Sequence, residues 1–156
     1  MKVSEATFNS CLFRIQASAE SSPEFVDITD QVTDQLRESG IRNGFVVVYS
    51  RHTTASIIIQ ENEPLLIEDM KSTLERLAPR GAHYRHNDFS VRTVHMHEDE
   101  CPNGHSHCQH LALGTSEAIP VIDGDLALGT YQRVFFVELD HENGEEREIL
   151  VQVMGI

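Results

Sequence analysis

The last third of the chain consists of short apolar segments separated by turn residues. The segment EAIPVI (117–122) is followed by the turn Asp123-Gly124-Asp125, and LALGTYQRVFFVELD (126–140) by Glu142-Asn143-Gly144. The terminal REILVQVMGI (147–156) completes the series. Apolar runs of this length joined by glycine-containing turns are typical of antiparallel strands. We therefore expect an antiparallel meander, a pattern that excludes an all-helical fold.

The first sixty residues predict further strands. Residues 6–18 loosely alternate apolar and polar side chains, which predicts an edge strand with Phe8, Leu12 and Ile15 partly inward. The run from Phe45 to Ser50 is apolar and β-branched, and residues 53–60 repeat that character after a polar break. These runs predict two buried strands, or one long bent strand.

Helical periodicity occurs in three places. Ile28, Val32 and Leu36 recur every fourth residue and end at Gly40, with capping candidates at Asp27, Thr29 and Asp30. A second helix is predicted over residues 64–78, with one face marked by Leu66, Met70, Leu74 and Leu77, and residues 105–113 predict a short third helix. No repeat or linker divides the chain. The predicted fold is a single α+β domain over residues 1–156, with a mixed or antiparallel sheet core and two to three helices.

Charge restricts the partners. Lysine and arginine number 12 against 25 aspartates and glutamates, which gives a formal net charge of −13. An acidic chain without a basic run lacks the electrostatic signature of nucleic-acid binding or of binding to anionic membranes. No apolar run is long enough to span a bilayer, and the start resembles no secretory signal. We expect a cytoplasmic protein whose three cysteines, Cys11, Cys101 and Cys108, are reduced thiols.

Histidine is concentrated in one segment. Seven of the nine histidines lie between His83 and His110, and residues 82–103 within that range show no periodicity. His107 and His110 are three apart and project from one helix face, where they could share a metal, whereas His105 points elsewhere. The spacing is equally compatible with an exposed pair.

Three other groups are candidates, each with a structural alternative. His52 lies among small hydroxyl residues in RHTTAS (51–56), where it could equally be a half-buried structural histidine. YRHND (84–88) combines a histidine, a carboxylate and a guanidinium, and HMHEDE (95–100) is a polar run; both could be solvated loops. The phosphate loop, dinucleotide fingerprint, nucleophile elbow and HExxH motif are all absent from the sequence.

Four motifs together resemble one family. HTTASIIIQENEP (52–64), YRHND (84–88), NGHSHCQHLALG (103–114) and LGTYQRVFFVELD (128–140) occur in the order seen in the YjbQ-like family, whose members are described as secondary thiamine-phosphate synthases. The resemblance extends from the first strand to the terminal segment. It implies a compact α+β domain that assembles as a homotrimer, with a site built from histidines.

The resemblance also implies roles for individual residues. It favours His52, His86 and His107 as ligands of a divalent metal, zinc-like by its imidazole set although magnesium is an alternative. Asp88 and Glu61 would move protons. The residues expected to contact substrate are Arg51, Thr53, Thr54, Asn62, Arg85, Tyr131 and Arg133, with the arginines on phosphate oxygens. His110 and Tyr131 depart from the family pattern.

The implied reaction joins a pyrimidine diphosphate to a thiazole phosphate and expels pyrophosphate. Two alternatives use the same histidines. A metal-dependent hydrolase would activate water at a three-histidine site, with Glu61 or Asp88 as general base. A non-enzymatic trimer would bind metal or sense a ligand. His105 and His110 remain additional ligand candidates in each case.

Overall fold

The computed structural model describes residues 6–143 and 146–156, so Gly144 of the last predicted turn lies outside the described residues. Three α-helices and eight strands occur in the described ranges. In chain order they are β1 (Asn9–Ala17), β2 (Glu24–Asp27), α1 (Thr29–Ser39), β3 (Gly44–Ser50), β4 (Ala55–Gln60), α2 (Pro64–Leu77), α3 (Gly104–Leu113), β5 (Ser116–Ile122), β6 (Asp125–Leu126), β7 (Arg133–Glu138) and β8 (Arg147–Gly155). Short 3₁₀ turns occupy Arg85–Asn87 and His141–Asn143. The predicted α+β class is confirmed.

The strands form two sheets in which every recorded pair is antiparallel. The larger sheet has the order β1-β8-β3-β5-β6, and the smaller has the order β2-β7-β4. β1 lies at an edge, as predicted. The runs over 44–50 and 55–60 are two strands, and they belong to different sheets.

The predicted meander is wrong. Only β5 and β6 form a hairpin, through a turn in which Asp123 and Gly124 both have positive φ. The predicted strand over 126–140 is interrupted between Leu126 and Arg133, where the chain leaves the larger sheet for the smaller one. β8 then returns to the larger sheet and pairs with both β1 and β3.

Two apolar clusters hold the layers together. The first packs the inner face of the larger sheet against α1 and one face of the smaller sheet, through residues such as Val32, Val48 and Phe136. The second packs the opposite face of the smaller sheet against α2 and α3, through Phe135 and Leu74. The smaller sheet is therefore covered on both sides, which explains why β7 is a continuous apolar run.

The outer face of the larger sheet is partly exposed and carries apolar side chains. Phe45 and Tyr49 on β3 are both 41% exposed. Leu12 on β1 and Phe8 before it also face solvent rather than the core, so only Ile15 of the three inward predictions is buried. In β1 the odd-numbered residues from Cys11 to Ala17 face inward, so Leu12 lies on the opposite face of the strand.

The helix ends match local capping chemistry. Gly40 ends α1 in the left-handed conformation with φ 70°, and the Glu63 carboxylate accepts hydrogen bonds from the Leu65 and Leu66 amides at the start of α2. Leu77, expected on the apolar face of α2, is exposed. In the part of the chain that the structure describes, no helix combines the length and the hydropathy needed to cross a membrane.

Candidate functional site

Two of the predicted ligand histidines are neighbours. The rings of His86, in the Arg85–Asn87 turn, and His107, in the first half of α3, meet edge-on with centroids 4.7 Å apart. The Nε2 atom of His86 is buried and has no hydrogen-bond partner among the described residues. An unpaired buried polar atom is unfavourable unless a ligand satisfies it, so this nitrogen is available for binding.

His107 is biased toward its neutral form. Burial, the adjacent His86 and the positive charge of Arg92 together lower the pKa of its imidazole below the usual value. A neutral imidazole keeps one lone pair, which can bind a metal or accept a proton. His107 therefore has the electronic state that either role requires.

The start of α3 is fixed against the turn that carries His86. The Gly104 amide donates to Asn87 Oδ1 at 2.8 Å, and a Cβ at Gly104 would lie 2.6 Å from the Tyr84 Cβ. Two residues further on, the Ser106 hydroxyl donates to the Leu139 carbonyl at 2.6 Å. Only glycine permits this close approach, and the contact positions His107 beside His86.

A basic cavity adjoins His86. It has a volume of about 490 Å³ and is lined by Arg85, His86, Val91, Arg92, Val94 and His95. Arg92 pairs with Glu100 and also donates to the His95 carbonyl at 2.8 Å. Arg85 has no acidic partner in the described ranges. Of the two arginines that line this cavity, only Arg92 has a carboxylate partner, so the guanidinium of Arg85 is free among the described residues to hydrogen-bond an anion.

His52 lies in a different environment. Its Nε2 accepts a hydrogen bond from the Glu148 amide at 3.2 Å, and burial together with the nearby Arg147 lowers its pKa. Beneath it, Arg147 forms a buried two-hydrogen-bond ion pair with Glu138, at 2.7 and 2.8 Å. The imidazole is thus neutral and already engaged through Nε2.

Other predicted residues on this side are also in use. Arg51 pairs with the Glu148 carboxylate at 2.8 Å, and the buried Thr54 hydroxyl accepts from Arg147 at 3.3 Å. Thr53 is exposed in the turn before β4. On the other side, directly after the turn that carries His86, Asp88 accepts from the Ser90 hydroxyl and amide, and these bonds lower its pKa. Asp88 is therefore an ionised turn residue in this structure.

The remaining predicted residues lie at the far end of the smaller sheet. Asn62 and Arg133 both donate to Asp27 Oδ2, at 2.9 and 2.7 Å, and Arg133 also bonds Asp30 at 3.1 Å. Glu61 is next to Asn62, and Tyr131 is 70% exposed shortly before β7. Arg133 and Glu138 begin and end β7, so the two ends are about 17 Å apart at 3.3 Å per residue.

One copy of the chain does not bring the three predicted metal ligands into one group. Over residues 6–143 and 146–156 no set of three or more His, Cys, Asp or Glu side chains is arranged to hold a metal ion. His86 and His107 supply two suitable imidazoles, whereas His52 is bonded elsewhere. The donors within one chain thus fit a divalent ion only in part.

The two additional ligand candidates, His105 and His110, differ from each other. His105 is buried, lies 3.3 Å from the Ser106 hydroxyl and has its ring near that of Tyr84, so it is part of the packing of α3. His110 is half-buried, burial lowers its pKa, and its Nε2 has no partner among the described residues. His110 therefore remains a candidate for ligand binding.

Sequence reasoning missed several polar residues of this region. They are Arg92 in the irregular segment, and Asn103, Glu138, Asp140 and Arg147 behind the histidines, whereas Glu100 lies in the candidate run HMHEDE (95–100). Glu138 follows directly after the apolar run of β7 and is buried, and Arg147 begins a strand whose alternate residues are buried. Charged residues at inward strand positions are the signal that could have identified this pair.

Comparison with known proteins establishes the family. A model described as UPF0047 protein YjbQ-like matches residues 13–156. The chain therefore belongs to the YjbQ-like family, and the resemblance seen in its motifs is confirmed.

Individual relatives agree with this assignment. The chain is similar to a UPF0047 protein of Methanothermobacter thermautotrophicus, with 42% identity over 85% of this chain and 83% of the relative. It is also similar to UPF0047 protein YugU of Bacillus subtilis, with 30% identity over 90% and 97% of the two chains. A crystal structure of a YjbQ-like protein of unknown function from Sulfolobus solfataricus superposes with a TM-score of 0.85, at 33% identity over 96% of this chain and 100% of that one. These descriptions state no activity.

Proposed function

We propose that this protein is an enzyme that acts on a phosphorylated small molecule, with its reactive centre at His86 and His107. The observation that carries the proposal is the basic cavity beside His86, because its two arginines provide an anion site in an otherwise acidic chain. The specific reaction that we propose is the one implied by the family resemblance. It joins a pyrimidine diphosphate to a thiazole phosphate and releases pyrophosphate.

The cavity residues have distinct proposed roles. Arg85 has no carboxylate partner among the described residues, so its guanidinium can make paired hydrogen bonds to phosphate oxygens. Arg92 is held by Glu100 and by backbone carbonyls, which fixes the second positive charge at the cavity wall. Together they would bind the diphosphate and stabilise the negative charge that develops on the leaving pyrophosphate.

The histidine pair supplies the other proposed function. His86 and His107 would hold a divalent cation, zinc-like in view of the imidazole donors, which would offset charge on the phosphate groups. In the absence of such an ion, the neutral His107 can accept a proton from the reacting group, because its lowered pKa keeps it unprotonated near neutrality. Asp88 is held in its own turn, so His107 is the stronger candidate for proton transfer.

We also propose that the protein works as a homotrimer. The exposed outer face of the larger sheet, with Leu12, Phe45 and Tyr49, is an apolar surface of the kind that subunit interfaces cover. The separation of the predicted residues favours the same idea. A neighbouring copy could bring its own His52, or the Asn62 and Arg133 end of its smaller sheet, to the basic cavity.

The experiment follows product formation with metal-loaded and metal-free protein. The pyrimidine diphosphate is incubated with and without thiazole phosphate, using zinc and magnesium in parallel. We expect thiamine phosphate and pyrophosphate only when both substrates are present. Arg85→Gln should lower the rate strongly, whereas Arg37→Gln, on an exposed surface pair with Asp34, should not. Pyrophosphate release that ignores the thiazole partner would reject the synthase reaction.

A metal-dependent or metal-free phosphoester hydrolase is the second candidate. It is favoured by the neutral His107 beside a cavity that is open to solvent, because such an imidazole can activate water. A panel of phosphoesters tests it with the same Arg85→Gln variant. Hydrolysis without any joined product would support the hydrolase.

A further inference from the structure

We propose that the protein has a second ligand site, which binds a small molecule with an apolar body and a protonated amine. The site is a cavity of about 370 Å³ bounded by α2, the end of α3 and strands β2, β4 and β5. Its lining shares no residue with the basic cavity beside His86. The inference therefore stands apart from the proposed function.

The cavity wall is mainly apolar and is pre-formed, with three polar residues in its lining, Gln60, Thr73 and Glu117. Phe25, Ile58, Leu74 and Leu113 line it, and all four belong to the cluster that packs the smaller sheet against α2 and α3. The Phe25 ring is held edge-on against the buried Phe135, at a centroid distance of 6.2 Å. Side chains fixed in this way leave a cavity of the size that small-molecule sites usually have, about 300–1,000 Å³.

One wall carries an acid where the strand pattern calls for an apolar residue. Successive side chains of β5 alternate between faces, and Ile119 and Val121 are buried on the inner face. Glu117 shares that face and pairs across the sheet with the fully buried Val48. Its carboxylate forms no ion pair or hydrogen bond with any residue in the described ranges. A half-buried, inward-facing carboxylate without a partner in the described part of the chain can accept hydrogen bonds from a ligand in the cavity.

The lining defines the chemistry of the ligand. An ammonium group can donate hydrogen bonds to Glu117, and the carbon body can cover Ile58, Leu74 and Leu113. Phe25 adds aromatic surface that favours a nearby cation. A neutral ligand cannot form a hydrogen bond to Glu117 in which both partners are charged, and an anion would be repelled. The geometry therefore selects an apolar primary amine.

The test measures binding of benzylamine and of benzyl alcohol to the intact chain by calorimetry and by NMR. The alcohol has nearly the same shape without the charge. We expect the amine to bind at least about tenfold more tightly, the effect of one charge-assisted hydrogen bond. Glu117→Gln should remove that difference. Glu38→Gln, which deletes the same charge from an exposed position on α1, should leave it unchanged.

A second variant tests the location. Ala112 lies on an exposed part of α3 at the cavity, so Ala112→Phe should fill it with little effect on folding and should abolish binding of both probes. Equal binding of amine and alcohol, or binding that survives Ala112→Phe, would overturn the proposal. Absence of binding would also overturn it, as would a second copy of the chain occupying the cavity.

Discussion

His52 and His86 have similar sequence surroundings but different states in the folded chain. Both lie in polar turns next to an arginine, and the family resemblance assigns both to one metal site. The Nε2 atom of His52 accepts the Glu148 amide at 3.2 Å, above the buried pair of Arg147 and Glu138. The Nε2 atom of His86 is buried but has no partner among the described residues.

The difference separates a supporting region from a reactive one. Around His52 nearly every polar atom has an internal partner, so these contacts stabilise the ends of β7 and β8. Around His86 the structure leaves a nitrogen, the guanidinium of Arg85 and a cavity available. We infer that mutations near His52 act first on stability, whereas mutations near His86 act first on binding and activity.

The largest expected effect is the loss of the buried ion pair below His52. Arg147→Met leaves the Glu138 carboxylate, which is 2% exposed, without its cation. Breaking a buried pair in this way costs about 3–5 kcal/mol of unfolding free energy. Urea denaturation measures the change. Because one charge is the cause, the double variant Arg147→Met with Glu138→Leu should recover much of the loss, and equal stability of the single and double variants would contradict this explanation.

Gly104→Ala has the next largest expected effect and acts on the His86 side. The new Cβ would lie 2.6 Å from the Tyr84 Cβ, so α3 and the turn that carries His86 must separate. Overpacking of this kind costs about 1–3 kcal/mol. We also expect weaker binding of inorganic pyrophosphate, measured by calorimetry. Gly81→Ala is the matched control, since nothing lies within 4 Å of a Cβ at Gly81.

Local elements were predictable because their signals lie within a few residues. The capping residues and the fourfold spacing of Ile28, Val32 and Leu36 fix α1, and Gly40 ends it where the sequence indicates. The choice of sheet was not predictable. β5, β6 and β7 follow one another with turn signals between them, but β7 pairs with β2 and β4, over a hundred and over seventy residues away. Turn chemistry specifies the reversal and not the partner strand.

The candidate site, like the fold, was predictable only in part from the sequence. Motif resemblance selected His86 and His107, and the structure places their rings in contact. Helix spacing instead indicated His107 with His110, the run HMHEDE (95–100) included Glu100 without indicating its partner, and no local pattern indicated Arg92. Those two residues gain their role from the path of the irregular segment, which places the Arg92 guanidinium against the His86 carbonyl and the Glu100 carboxylate.

Matched leucine substitutions at the two histidines sharpen the comparison. His52→Leu should cost about 1 kcal/mol, because the half-buried Glu148 amide loses its acceptor. His86→Leu should leave stability unchanged or raise it slightly, since it removes an unpaired buried nitrogen. Thermal and urea unfolding of both variants measure the effect. A larger loss for His86→Leu than for His52→Leu would reverse the assignment of supporting and reactive regions.

The smallest expected effect is on the pH dependence of stability, to which His110 contributes. Burial lowers the pKa of His110, as it does that of His52, His105 and His107. Between the lower folded pKa and the ordinary value of about 6.5, the unfolded chain binds more protons, so unfolding free energy falls as the pH drops. The contribution of this lowered pKa to the unfolding free energy is fully present above about pH 7 and is lost on acidification, before most carboxylates protonate.

His110→Leu should flatten the decline in Tm between about pH 7 and pH 5, while Gln35→Asn, which alters no titratable group, should retain it. A steeper decline for His110→Leu would mean that His110 gains a proton on folding, which would contradict the effect of its burial.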